Sequence, residues 1–250
     1  MDPLFQFLLR MGDNTLVLGH RVSEWCGHAP VLEEDIALAN TALDLIGQTQ
    51  MWLGLAGEVE GKGRSADDIA FLRDVWDFRN LLLLELPNGD FGQTLMRQFL
   101  FDAWHSVQLG HLINSSDPRV AEIAQKAAKE VAYQVERSAD TVVGLGDGTA
   151  ESHARMQAAL DYLWPYVGEM FQGDTVDLAM KEQGIAPDPA SLRDDFDALA
   201  GRVLAQATLT IPQDNYTQQG GKTGARHTEH LGHILCQMQW LQRAYPGANW

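Results

Sequence analysis

Asp13, Asp44, Asp102 and Glu130, with His105 three residues after Asp102, are the side chains of this sequence whose types and spacing suit metal chemistry. Residues three or four apart share a helix face, so an acid-x-x-His pair lets one helix offer an oxygen and a nitrogen to one ion. Asp102 and Glu130 lie fourteen residues before and after Ser116, and Asp44 lies fifteen after Ala29, with Asp13 the nearest acid on the other side. At 1.5 Å per helical residue, each acid stands about 21 Å from its turn. The four carboxylates are therefore expected to meet at one level of a helical bundle. Three of them, Asp44, Asp102 and Glu130, belong to stripes read as buried faces: Ala37, Asn40, Asp44, Gly47, Met51; Leu95, Gln98, Asp102, His105, Leu109, Leu112; and Ile123, Lys126, Glu130, Tyr133, Arg137.

That outline is the one a ferritin-like di-iron carboxylate site uses: a lone carboxylate on each of two helices and Glu-x-x-His on the other two. Its nitrogen donors are missing. Where Glu-x-x-His is needed the sequence reads Asp44-Leu-Ile-Gly47 and Glu130-Val-Ala-Tyr133, and no Glu-x-x-His occurs anywhere. The acid-x-x-His that does occur, Asp102-Ala-Trp-His105, falls on a helix whose counterpart needs no histidine. The residues thus favour a metal-free polar network in which the acids pair with Lys126, Arg137, Arg21 or His20. Replacing Lys126 or Arg137 with methionine is expected to strand a buried acid.

Helices must position these groups, and helical periodicity runs through most of the chain. The pattern predicts long helices over 4–26, 33–60, 91–114 and from Pro118 to about 143, with Asp117 as N-cap and Pro118 in the first helical position. A less regular segment covers 67–84. Shorter helices are expected over 150–171, 174–183, 189–206 and 226–243, and a polar, Gly-rich loop over 213–225. Thr208–Ile211 reads as β-like but stands alone. The expectation is one all-α domain over 1–250: a four-helix bundle with additional short C-terminal helices.

The chain has 34 acidic and 18 basic residues, a formal charge of −16. Such a surface repels phosphate backbones and anionic membranes, so neither nucleic acid nor membrane is expected as a partner. No apolar run approaches the roughly 20 residues that span a bilayer. The start carries an acid where a signal peptide carries base, and two cysteines make no disulfide framework; the reading is a cytoplasmic protein.

Other motifs carry less. His227, His230 and His233 drift around a helix by about 60° per step, too far for a strong chelate; capping and interface hydrogen bonds are expected of them. Gly220–Gly224 imitates half a phosphate-binding loop, but the Walker pattern needs glycine where Tyr216 stands. Lys222 and Arg226 there remain candidates for contact with phosphate. Cys26 is expected at a helix C-terminus, which disfavours a thiolate. Trp104 and Met96 read as core.

Several runs have a familiar look: Leu16–Arg21 (LVLGHR), Glu24–Pro30 (EWCGHAP), Ala39–Gln48 (ANTALDLIGQ), Asn80–Gly89 (NLLLLELPNG), Asp102–His105 (DAWH) and His227–Gly232 (HTEHLG). They resemble the C subunits of the bacterial ring-1,2-phenylacetyl-CoA epoxidase, a multicomponent monooxygenase, along essentially the whole chain. The resemblance implies a ferritin-like, non-catalytic subunit with no cofactor of its own. It implies a homologous A subunit that carries di-iron and oxidises the ring of phenylacetyl-CoA, and a reductase subunit that supplies electrons from NADPH. It further implies that this subunit packs against the A subunit and lends residues to the CoA-substrate cleft between them. The matching positions are Asp77, Phe78, Arg79 and Asn80, with Leu178, Ala179 and Met180. Two rival readings stay open: a free-standing ferritin-like di-iron or di-manganese enzyme using Asp13, Asp44, Asp102, His105 and Glu130, and an all-α small-molecule binding protein.

Overall fold

A computed structural model describes residues 2–213 and 216–248. The ten α-helices among them are α1 (Pro3–Ser23), α2 (Leu32–Glu60), α3 (Ala66–Leu72), α4 (Leu82–Glu85), α5 (Phe91–Leu112), α6 (Pro118–Gly146), α7 (Ala150–Leu163), α8 (Thr175–Glu182), α9 (Arg193–Gln206) and α10 (Glu229–Ala244). Short 3₁₀ turns cover Val75–Asp77, Trp164–Phe171 and Pro189–Leu192. No strand occurs among the described residues, so the all-α reading holds, and Thr208–Ile211 is irregular. The two long antiparallel pairs that a ferritin-like fold requires are present as α1–α2 and α5–α6. No helix among the described residues is long and apolar enough to cross a membrane. The chain forms two compact units, residues Met1–Pro87 with Gln219–Trp250, and residues Asn88–Gln218.

In the first unit, α1 is set by the Asp2 cap, whose carboxylate accepts from Leu4 N, and by Pro3 at the first position. Its residues from Phe7 to Gly19 are all buried. Gly12 and Gly19, seven residues apart, let α2 come close: a Cβ at Gly12 would strike Leu53, and one at Gly19 would stand 3.2 Å from Leu45 Cβ. Between them the Thr15 and Thr49 hydroxyls pair at 2.8 Å. These contacts fix an antiparallel register in which residue 15 faces 49. Asp35 ties the connector down by accepting from Gly27 N and Ala29 N. Acids in the first turn and Gly61 at φ 68° bound α2.

In the second unit, Asp90 caps α5, and Asp117 caps α6 ahead of Pro118, the latter as the sequence predicts. The helix expected over 150–171 stops at Leu163, because Pro165 has no N–H to continue the ladder and the chain tightens into the 3₁₀ turn. Pro189 likewise opens a 3₁₀ turn before α9. Two residues of the Gly-rich loop, 214 and 215, lie outside the described residues.

The buried face of α5 is the stripe read from sequence. The stripes read on α2 and α6 are corrected. On α2 the core face is Leu38, Ala42, Leu45, Thr49, Trp52 and Ala56, while Asn40 and Gly47 are exposed and Asp44 is half-buried. On α6 it is Val120, Ala124, Ala127, Val131, Gln134 and Ser138. Lys126 is exposed, Tyr133 is 61% exposed, and Ile123, Glu130 and Arg137 are half-buried. Small alanines pack closest to the neighbouring helix, and the polar spacing drew the stripe one residue away from them.

Candidate functional site

The register of α1 and α2 decides whether Asp13 and Asp44 can share an ion. Residue 15 faces 49 and residue 19 faces 45, so Asp44 is level with His20, seven residues from Asp13. That is an axial offset of about 10 Å. The expected single level fails because the connector, residues 24–31, does not turn at its midpoint. The start of α2 overhangs the end of α1 instead.

Asp13 is completely buried, and its oxygens are spoken for. Arg73 forms a two-pronged ion pair with it, through Nη2 to Oδ1 and Nη1 to Oδ2. The backbone N–H of Arg79 adds a third donor at 2.8 Å. Arg73 also donates to the carbonyls of Ile69 and Asp77, and its guanidinium lies 4.3 Å from the Phe78 ring centre. The partner of this acid is thus Arg73, from the irregular 67–84 segment, and not Lys126, Arg137, Arg21 or His20. Arg21 bonds Glu24 and the carbonyl of Glu85, and His20 faces Glu24.

The same segment fixes the expected substrate residues. Phe78 is core, and Asn80 is buried, donating to the Glu85 carboxylate at 3.0 Å. Arg79 is half-buried; burial lowers its pKa, and it donates to Gln6 and to the carbonyls of Trp76 and Phe78. Asp77 is exposed. In the second unit Leu178 is exposed, Ala179 half-buried and Met180 fully buried on α8.

Glu85, which sequence reasoning passed over, organises the C-terminal segment. Its Oε2 accepts from Thr228 N and Thr228 Oγ1 at 2.6 and 2.7 Å, which caps α10 from outside the helix. Its Oε1 pairs with His227 Nδ1 at 2.6 Å. The cap thus comes from Glu85 rather than from a histidine, and His227 serves it by pairing with the same carboxylate; His230 is half-buried and His233 exposed. Nearby, Gly221 packs where a Cβ would strike the carbonyl of Asn80, and Gly224 takes φ 69° against the Arg79 guanidinium. The loop spends its amides on itself: Gly224 N donates to Gly221 O, and Ala225 and Arg226 N donate to Gly220 O. Glu85→Gln should cost about 2 kcal/mol, in the range for hydrogen bonds to a charged group. Hydrogen exchange should show faster exchange at the first turn of α10 while α5 and α6 are unchanged.

In the second unit the acid at the centre is Asp102. Gln98 Nε2 donates to its Oδ1 at 2.6 Å, and Ser138 Oγ donates to its Oδ2 at 2.9 Å. Ser138, rather than Glu130 eight residues earlier, is the α6 residue that meets it. Burial raises the Asp102 pKa to about 7, only partly offset by these donors and by Arg137. His105 is stacked 5.0 Å from Phe101, and burial lowers its pKa to about 4. Below neutrality burial therefore favours a protonated acid and an uncharged imidazole in this core.

These donors do not fit a di-iron centre. Asp13 is neutralised by an arginine, Asp102 resists ionisation, Lys126 and Tyr133 face outward, and the α1–α2 and α5–α6 registers separate the acids of each pair. Among the described residues no three His, Cys, Asp or Glu side chains gather as a metal ligand set. Cys26 and Cys236 are free and exposed.

Comparison with known proteins covers the whole chain. The family described as phenylacetic acid catabolic protein matches residues 1–250. The C subunit of 1,2-phenylacetyl-CoA epoxidase from Escherichia coli (strain K12) is 47% identical over 250 residues, which is 100% of each chain.

Proposed function

The chain belongs to the phenylacetic acid catabolic protein family, and from that membership we propose that it is a structural, metal-free subunit of a phenylacetyl-CoA epoxidase. In this role it scaffolds a homologous di-iron catalytic subunit, works with a reductase subunit of the same cytoplasmic system, and takes part in phenylacetate breakdown. The observation that carries the reading is the 47% identity to an epoxidase C subunit along the full length of both chains. The family match over 1–250 likewise supports reading the chain as one ferritin-like domain. Support for the metal-free role comes from the acids themselves, since a carboxylate in a two-pronged pair with a buried arginine has both oxygens turned to donors rather than to a metal. Among the described residues no ligand cluster favours the rival of a free-standing di-iron enzyme.

The proposed substrate contact runs through Asp77–Asn80 and Leu178–Met180. Of the first group, Arg79 has the charge that suits a CoA phosphate and Asp77 the exposure, while Phe78 and Asn80 hold the segment in place.

The test is metal content and activity with and without the homologous partner. The chain purified alone should hold far less than one iron and show no epoxidation; about two irons per chain, the content of a ferritin-like di-iron site, would overturn the reading. In the assembled enzyme Arg79→Ala should raise KM for phenylacetyl-CoA severalfold with kcat and iron content unchanged. An unchanged KM removes Arg79 from the cleft.

A further inference from the structure

Helix α2 has a second apolar face, and it is left open to solvent. Leu32, Ile36, Ala39, Leu43, Ile46 and Gln50 recur at intervals of four and three, the spacing of a coiled-coil seam. The seam lies about a third of a turn around the helix from the core face that begins at Leu38. Its large members are exposed: Leu32 is 71% exposed, Ile36 53%, Leu43 65% and Ile46 46%. Beside it, Gly47 has no atom within 4 Å of where a Cβ would stand, so another helix can approach closely. Exposed leucines and isoleucines occur singly on most proteins, but a row of four on one helix marks a contact surface.

Charge says what covers it. Helix α2 carries Glu33, Glu34, Asp35, Asp44, Glu58 and Glu60, and no lysine, arginine or histidine. A second copy would bring the same acids against them, in a chain whose formal charge is already −16. We infer that this face of α2 is the docking surface for a helix of a different polypeptide, one whose own apolar seam is flanked by lysine or arginine. The inference rests on the function proposed above, which supplies that polypeptide: the homologous catalytic subunit.

The test uses that subunit as the probe, with affinity measured by calorimetry for the full-length chain and for its Ile36→Glu/Leu43→Glu variant. The variant should melt within a few degrees of the parent, since both side chains are exposed, and should bind at least 100-fold more weakly. Binding of the parent should weaken as salt rises from 0.05 to 0.5 M, as opposite charges around a seam require. As a second measurement, the thiol introduced by Leu43→Cys should alkylate at least tenfold more slowly in the complex, with Cys236 on α10 as internal reference. Equal affinities for parent and variant, with that thiol unprotected, would overturn the docking surface and leave the proposed function standing. No binding of the subunit by the parent would overturn the proposed function, and the inference with it. A dimer of the chain alone that Leu43→Glu dissociates would also overturn the inference, since the occupant would then be a second copy.

Discussion

Replacing Arg73 with methionine should destabilise the chain by about 3–5 kcal/mol, the cost of leaving one partner of a buried ion pair uncompensated. The guanidinium makes the two-pronged pair with Asp13, donates to the Ile69 and Asp77 carbonyls, and lies over Phe78. Methionine fills much of the space and supplies none of these donors. Asp13, which is completely buried, then keeps the Arg79 N–H as its donor and must either take up a proton or draw water into the core. For a chain of this size the loss corresponds to a fall in Tm of roughly 10 °C, readable by circular dichroism at pH 7. The control follows from the same geometry. Lys126→Met, at an exposed position on α6, should change stability by less than about 0.5 kcal/mol. Asp13→Leu combined with Arg73→Met should recover most of the loss, since removing both charges strands neither. An Arg73→Met protein as stable as the parent would mean that Asp13 is solvated, and with it the argument that this acid is closed to metal would fall.

Why Arg73 escaped notice shows what the sequence can and cannot carry. Long helices announce themselves through apolar period and caps, so α2, α5 and α6 begin within one residue of where Glu33, Phe91 and Pro118 place them. The missing Glu-x-x-His was equally legible, because a ligand pair at i and i+3 is a local property of one helix. Register is not local. It depends on how far residues 24–31 travel along the axis before α2 begins, and no pattern within either helix encodes that distance. The levels of Asp13 and Asp44 were therefore misjudged by about two turns. Arg73 lies sixty positions from Asp13, in a segment with weak periodicity, and their pairing depends on long-range packing alone. Glu85 was hidden in the same way, inside an apolar run, 143 positions from the helix it caps. The apolar seam of α2 was readable as heptad spacing, but the stripe that contained Asp44 masked it.

The pH dependence of stability should reveal two opposed titrations in the α5 core. Asp102 has a pKa of about 7 in the folded chain against 3.8 when exposed, so between those values the folded state holds a proton that the unfolded state has lost. Its contribution to stability is therefore full at low pH and disappears as pH rises to about 7. His105 behaves inversely. Its pKa falls from 6.5 to about 4, so over that range the unfolded state binds a proton that the folded state refuses, and stability grows with pH. From about pH 4 to 6.5 the two slopes cancel, and the parent hides both. Asp102→Asn should expose the histidine, with stability relative to the parent rising by on the order of 4 kcal/mol from pH 4 to 7, the range over which the acid's penalty is removed. His105→Gln should expose the acid, with stability relative to the parent falling by on the order of 3 kcal/mol from pH 4 to 6.5. Urea unfolding at half-unit pH steps measures both, and differences from the parent remove the slopes of the ordinary surface carboxylates, which are common to all three proteins. Flat difference curves would show that water reaches the cluster. Opposed curves would mean that the acid standing where a metal ligand is expected is kept largely protonated by its own burial below neutrality. The double variant tests the pair itself: its curve should equal the sum of the two single curves if the groups titrate independently, and a shortfall would show that Asp102 and His105 share a proton along one turn of α5.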